Sequence, residues 1–322
     1  MLRADHLPQA VSLSAALGWP YREEDWRFAF ELGHGVVVET DGGLAATALW
    51  WPYGETFASF GMIIVAPALQ GRGIGRLLMD ELLRQAEGRA IVLNSTREGY
   101  RLYERLGFVP CGQVNQHQAV LAAASLESPA GATERLAKES PAGTTERLGR
   151  EPPAGATERP AKESPAGTTE RPAKESPAGT NRAIRPLRPE DIGAIRDLDC
   201  RASGMQRTRL LDALFAVGKV AVMAREGRVQ GYACVRRWGR GVVVGPVIAR
   251  DAADAKVLVA ALATEHRGDF VRIDVPATSG LSSWLEAIGL PQVDHVVSMV
   301  RGKPPMCAAD ATLFALSNQS LG

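Results

Sequence analysis

Between Gln70 and Gly75 the chain reads Gln-Gly-Arg-Gly-Ile-Gly, with glycine on alternate residues. That spacing lets a backbone approach a bulky ligand with no side chain in the way. A helix follows, because Leu77, Leu78, Leu82 and Leu83 recur on one face. Its first turn offers unpaired N–H groups and the positive end of the helix dipole, which together suit an anion such as a pyrophosphate. Two nucleotide-binding patterns are tested by this spacing. The dinucleotide fingerprint needs Gly-x-Gly-x-x-Gly, but the glycines stand at Gly71, Gly73 and Gly75. A P-loop ends in Gly-Lys-Ser/Thr, and neither lysine nor hydroxyl is present. Both fit poorly.

Several elements must hold this loop in place. Met62 to Val65 is a short apolar run rich in β-branched residues, as a buried strand would be. Pro67 cannot donate to a ladder, so the strand stops or splays near it. Arg89 to Ser95 reads as a further strand and Arg97 to Leu106 as a helix. Gly107 suits the left-handed residue at that helix's C-terminus.

Taken together, these residues resemble the acetyl-CoA loop of the GNAT N-acetyltransferase superfamily, Val-x-Pro followed by Gln/Arg-x-x-Gly-x-Gly/Ala. Val65, Pro67, Gln70, Gly73 and Gly75 fill those places. One strand and one helix further on, Leu102-Tyr103-Glu104-Arg105-Leu106-Gly107-Phe108 resembles the family's closing Leu-Tyr-x-x-x-Gly-Phe segment. The resemblance implies that acetyl-CoA is the co-substrate, with no metal. It implies that the backbone at Ile64 and Val65 pairs with the pantetheine arm, and that Gly71, Arg72, Gly73, Ile74 and Gly75 hold the pyrophosphate. Tyr103 is then the candidate general acid that protonates the leaving thiolate, the alternative being that it only packs against the pantetheine. The chain departs from the family where many members carry Asn and Ala: Thr96 and Gly99 stand there, with Thr96 as the candidate for the contact to the pantetheine arm.

The implied function is transfer of an acetyl group from acetyl-CoA to a primary amine of a small molecule, directly within a ternary complex. The competing reading is a module that senses acyl-CoA or scaffolds a partner without turnover. Glu24, Trp26, Trp51 and His117 are candidates for binding the acceptor, although such tryptophans more often serve the core and such a histidine more often a structural hydrogen bond. Glu24, Asp25, Glu55 and His117 are open as the base.

The wider chain has room for two domains at 322 residues. Lys plus Arg number 37 against 36 Asp plus Glu, which gives no electrostatic argument for nucleic acid or an anionic membrane. No apolar run approaches the roughly 18 residues that span a bilayer. The N-terminus lacks a signal pattern, and four scattered cysteines fit neither a metal site nor a disulfide framework. A cytoplasmic protein is expected.

The fold class expected is α/β (α+β), as two tandem GNAT-like folds, each a mixed, mostly antiparallel sheet flanked by helices. The catalytic domain spans 1–123, with Asp41-Gly42-Gly43 as a hairpin turn. The strand that usually opens the family looks truncated or replaced, since only Met1 to Arg3 precede the first helix. Residues 108–122 should supply this domain's last strands. Residues 124–181 repeat a twelve-residue unit such as ESPAGTTERPAK, with almost nothing to bury, and read as a disordered linker. Residues 182–303 form a second, degenerate GNAT-like domain. There Arg250 to Ala255 has no glycine, Asp251 and Asp254 stand where pyrophosphate would lie, and Trp284 replaces the tyrosine. Residues 304–322 are left as a C-terminal tail.

Overall fold

The computed structural model of the protein describes residues 1–122 and 182–322; the expected linker lies outside them. The first half runs α1 (Leu7–Ala15), α2 (Glu23–Leu32), β1 (His34–Thr40), β2 (Gly43–Tyr53), β3 (Phe57–Val65), α3 (Ile74–Gln85), β4 (Ala90–Ser95), α4 (Arg97–Arg105) and β5 (Val109–Val120). The second half runs β6 (Arg182–Pro186), α5 (Ile192–Ser203), α6 (Thr208–Val217), β7 (Lys219–Arg225), β8 (Arg228–Trp238) and β9 (Gly241–Ala249). It continues with α7 (Ala252–Ala263), β10 (Phe270–Pro276), α8 (Ser282–Ala287), β11 (Gln292–Arg301) and β12 (Thr312–Ala315). The two halves repeat one order of elements and form one compact unit. Ahead of α1, Leu2 N–H donates to the Gly35 carbonyl at 2.8 Å. Among the described residues no helix is long and apolar enough to cross a membrane.

The halves exchange their last strands. The sheet order is β1-β2-β3-β4-β11-β5-β10-β9-β8-β7-β6, so β11 of the second half lies against β4 of the first. Residues 109–120 form one strand, and both its partners, β10 and β11, come from the second half. The stretch expected to finish the first domain therefore continues the sheet of the second. Apolar side chains on the two sheet faces close separate cores. One is shared, placing Trp26, Trp51, Leu7 and Leu13 with Leu198, Leu210, Leu214 and Tyr232. The other faces are covered by α3 and α4 in the first half and by α7 and α8 in the second.

Two of the neighbouring strand pairs are parallel, and both part early. β3 pairs with β4 from Phe57↔Ala90 to Phe60↔Leu93 and no further, which leaves a split that begins at Gly61 and Asn94. β3 bends there: Met62 takes a φ of +49° and the register with β2 shifts between Thr47 and Leu49, the mark of a bulge. β9 and β10 pair only at Val242↔Val271 and Val243↔Arg272. Beyond that point β12 enters and pairs with β9 from Thr312↔Ala249 to Ala315↔Val247, while Leu316 N–H reaches the Asp274 carbonyl at 2.8 Å. The presumed tail is thus a strand that fills the second split.

Candidate active site

The loop after β3 leads directly into α3. Gly71 and Gly73 adopt φ of +74° and +81°, and a Cβ at either would meet nothing within 4 Å. Both conditions matter. The positive φ demands glycine, and the empty space leaves room for a ligand rather than for packing. Gly73 is the N-terminal cap of α3 and supplies no side chain to it. The backbone N–H groups from Gly71 to Arg76 find no partner among the described residues. They sit at the positive end of a twelve-residue helix.

The other loop residues hold this shape. The Gln70 side-chain amide donates to the Val65 carbonyl at 3.1 Å, tying the loop to the end of β3. Gly75 permits close packing instead, since a Cβ there would lie 3.3 Å from Leu102 on α4. Arg76 is taken by Asp80, at 2.9 Å, while Arg72 is exposed and has no ion-pair partner among the described residues. Ile64 turns its side chain into the shared core and offers only backbone, and Ile74 is half-buried beside α3's own core.

Tyr103 lies on α4 over the face that α3 covers. Its ring leans back toward the helix N-terminus, as helical side chains do. It lies so close to Gly99 that a Cβ there would be 2.7 Å from the ring. Phe108 meets its other side edge-on, with centroids 6.0 Å apart. Burial alone pushes the phenol well above the usual tyrosine value, so it is a proton donor across the whole neutral range. Thr96 is occupied differently from the expectation. It is the cap of α4, its hydroxyl accepting from Gly99 N–H at 3.4 Å.

The acceptor candidates are not brought to the loop. Trp26 and Trp51 are core residues whose indole N–H groups go to Ser14 Oγ (3.2 Å) and the Ala29 carbonyl (2.8 Å). His117 is fully buried in the second half's sheet, with Leu290 O at 2.9 Å from Nδ1 and Ser282 Oγ at 3.1 Å from Nε2. Asp25 is spent on Arg22 at 2.6 Å and on Gly239 N–H at 2.8 Å. Glu55 stands in the turn before β3, at the opposite end of that strand from the loop. Glu24 alone is exposed toward a cavity of about 380 Å³, lined also by Arg22, Phe28, Arg236 and Trp238.

Among the described residues, Ser59, Gly61, Asn94, Gln319 and Ser320 stand at the β3/β4 split, and none of them carries a charge. Ser59 Oγ donates to the Ser320 carbonyl at 2.7 Å, and Asn94 Nδ2 to the Gln319 carbonyl at 2.8 Å. Sequence reasoning missed this contribution from residues 317–321. The apolar run Ala311 to Leu316 was its available signal.

The second half closes each of these features. Asp251 caps α7, its carboxylate accepting from Asp254 N–H at 2.8 Å. Asp254 does not face a ligand, as the sequence suggested; it turns inward to Arg225 at 2.7 Å. β12 occupies the split that the first half leaves open.

Comparison with known proteins agrees with this two-part architecture. Two profiles described as "Acetyltransferase (GNAT) domain" match the chain, one over residues 31–110 and the other over residues 195–315. The uncharacterised N-acetyltransferase YitH of Bacillus subtilis (strain 168) is 23% identical over 327 residues, covering 100% of this chain and 97% of its own. A crystal structure from Pyrococcus horikoshii, assigned as an acetyltransferase, superposes with a TM-score of 0.70 at 17% identity, over 100% of this chain and 94% of that one. A tandem GNAT protein from the clavulanic acid biosynthesis pathway gives 0.57 at 13% identity, over 93% and 96%. The chain belongs to the GNAT superfamily of N-acetyltransferases, in a two-domain form with one GNAT domain in each half.

Proposed function

We propose that the first half transfers an acetyl group from acetyl-CoA to a primary amine of a small molecule, directly within a ternary complex. The observation that carries this reading is the open cradle at Gly71 to Arg76, set against its closed counterpart at Asp251 to Asp254. Acetyl-CoA supplies the thioester carbonyl that the amine attacks. The unpartnered N–H groups of the loop hold the pyrophosphate. The free edge of β3 beyond Phe60 takes the pantetheine arm, which places the thioester at the split. Holding two reactants in one geometry supplies much of the acceleration. Tyr103 gives its proton to the departing sulfur. Among the described residues the split itself carries no carboxylate, and nearby Asp274 is buried against Arg272 at 2.9 Å. The amine therefore arrives already neutral from solution. The second half, with its cradle capped and its split filled, completes the sheet and walls the acceptor side.

Titration calorimetry tests the reading: one acetyl-CoA should bind per chain. Gly73→Asp should weaken it by at least an order of magnitude, because a side chain at positive φ is strained and its charge opposes phosphate. Unchanged affinity in a folded variant would reject the cradle. Release of thiol from acetyl-CoA, followed against a panel of primary amines, then identifies the acceptor.

A further inference from the structure

Beyond β12, residues Leu316 to Leu321 cross the sheet face opposite α3 and α4 as a strap. It starts at β10, where Leu316 N–H meets Asp274 O. Its Gln319 amide donates to Gln116 Oε1 of β5 at 3.1 Å and to Asp274 at 3.4 Å. It then passes Asn94 of β4 and Ser59 of β3, and ends on β2, where the Tyr53 phenol donates to the Leu321 carbonyl. Asn318 folds its tip, its Oδ1 accepting from Ser320 N–H and Leu321 N–H, each at 2.8 Å. Arg236 Nη2 adds a bond to the Ser317 carbonyl at 3.4 Å.

Burial along the strap is uneven in an informative way. Leu316, Ser317, Asn318 and Leu321 are buried, whereas Gln319 and Ser320 keep partial exposure. Those two residues lie against Asn94 and Gly61, where β3 and β4 part; a Cβ on Gly61 would be 2.7 Å from Ser320 Cβ. The strap is fixed at both ends and open only over the split. The second half repeats the contact in closed form. Gly245 occupies the fifth place of nine-residue β9, as Gly61 does in β3, and a Cβ there would collide with the Leu316 carbonyl.

We propose that Gln319 and Ser320 form the acceptor-side wall of the first-half cleft and select the amine by size, admitting small primary amines. The inference rests on the reading that this half holds the acyl-CoA. The wall's backbone carbonyls are satisfied by Asn94 and Ser59, and the Ser320 side chain is hydrogen-bonded to the Tyr21 phenol, so the wall presents the Gln319 side-chain carbonyl oxygen to an incoming N–H. Neither can move far, because the strap's neighbours on each side are packed. A peptide chain long enough to need a groove meets a wall instead.

A thiol at Ser320 reports the proximity without needing turnover. Ser320→Cys protein is incubated with CoA disulfide; the new thiolate attacks one sulfur, forms a protein–CoA mixed disulfide and releases CoA, which intact mass spectrometry resolves. Thr312→Cys, at the exposed start of β12, is the control, and the wild type reports exposed Cys111 and Cys307. We expect the Ser320→Cys adduct to form at least ten-fold faster than the control, and excess acetyl-CoA, which carries no free thiol, to suppress it. If calorimetry shows CoA bound but the rates are equal, the strap does not line the acyl end and this inference fails while the proposed function stands. If CoA does not bind, both fall. Gln319→Ala tests selection: kcat/KM should rise at least five-fold for bulky over small primary amines, and a uniform change across the series would overturn it.

Discussion

At the scale of single residues, Tyr103 is the group to which the proposed reaction assigns the proton transfer. Its ring is wedged between Gly99 and Phe108, so removing the hydroxyl leaves the packing intact. Tyr103→Phe should lower kcat by about 10²-fold or more, the scale of a general acid, with acetyl-CoA affinity within two-fold by calorimetry. The pH profile carries a second signature. Burial disfavours the phenolate, so the folded pKa lies above the ordinary value of about 10. The acid therefore stays protonated, and no alkaline fall in kcat should occur below pH 10. With no base among the described residues at the split, log kcat/KM should climb with unit slope up to the acceptor's own pKa. A plateau near pH 7 would point to a protein base instead.

At the scale of elements, matched loops in two halves have opposite endings. α3 begins at a bare glycine, while α7 begins at an aspartate that caps it. Asp251→Ala should cost about 1 kcal/mol, the usual worth of an N-cap, read as a lower denaturant midpoint. It should not create a second acetyl-CoA site, because β12 still fills the adjoining split; two sites per chain by calorimetry would contradict that. This scale is also where the sequence was most legible. β3, its loop, α3, β4 and α4 announce themselves through local periodicity, a proline, glycines and a capping residue, all within a few turns of each other. What it concealed was partnership. A strand such as Val109–Val120 carries its side-chain alternation but no label for its neighbours, and its pairs with β10 lie about 150 residues away by the numbering of the register. Trp26, Trp51 and His117 were ambiguous for a similar reason. An aromatic ring or imidazole reads the same in sequence whether it faces a ligand or a distant backbone carbonyl.

At the scale of the whole molecule, strand exchange makes the halves inseparable. β11 lies between β4 and β5, and β5 lies between β11 and β10, so each half's sheet is completed by the other. The shared core adds large side chains from both, Trp26 and Trp51 against Leu210 and Tyr232. A protease site inserted within residues 127–180 and cut in the folded protein should therefore yield two fragments that co-elute on gel filtration. They should part only in denaturant, and acetyl-CoA binding should survive the cut. Fragments that separate in buffer would show that the ladders contribute little.

The same exchange sets an order in time. A ribosome delivers the cradle, Tyr103 and β4 early, yet the strand that covers the edge of β4 ends at Arg301, and the strap follows it. At roughly 5–20 residues per second, the 180 or so residues after Val120 take on the order of 10–40 s to emerge. Through that interval Ala90–Ser95 is an unpaired edge, the kind of surface that invites pairing with another chain. The nascent first half thus carries an uncovered β4 edge until its last strand arrives. A polypeptide stalled before Gln292 would hold every residue of the proposed cradle and still lack β11, the strand that covers the edge of β4.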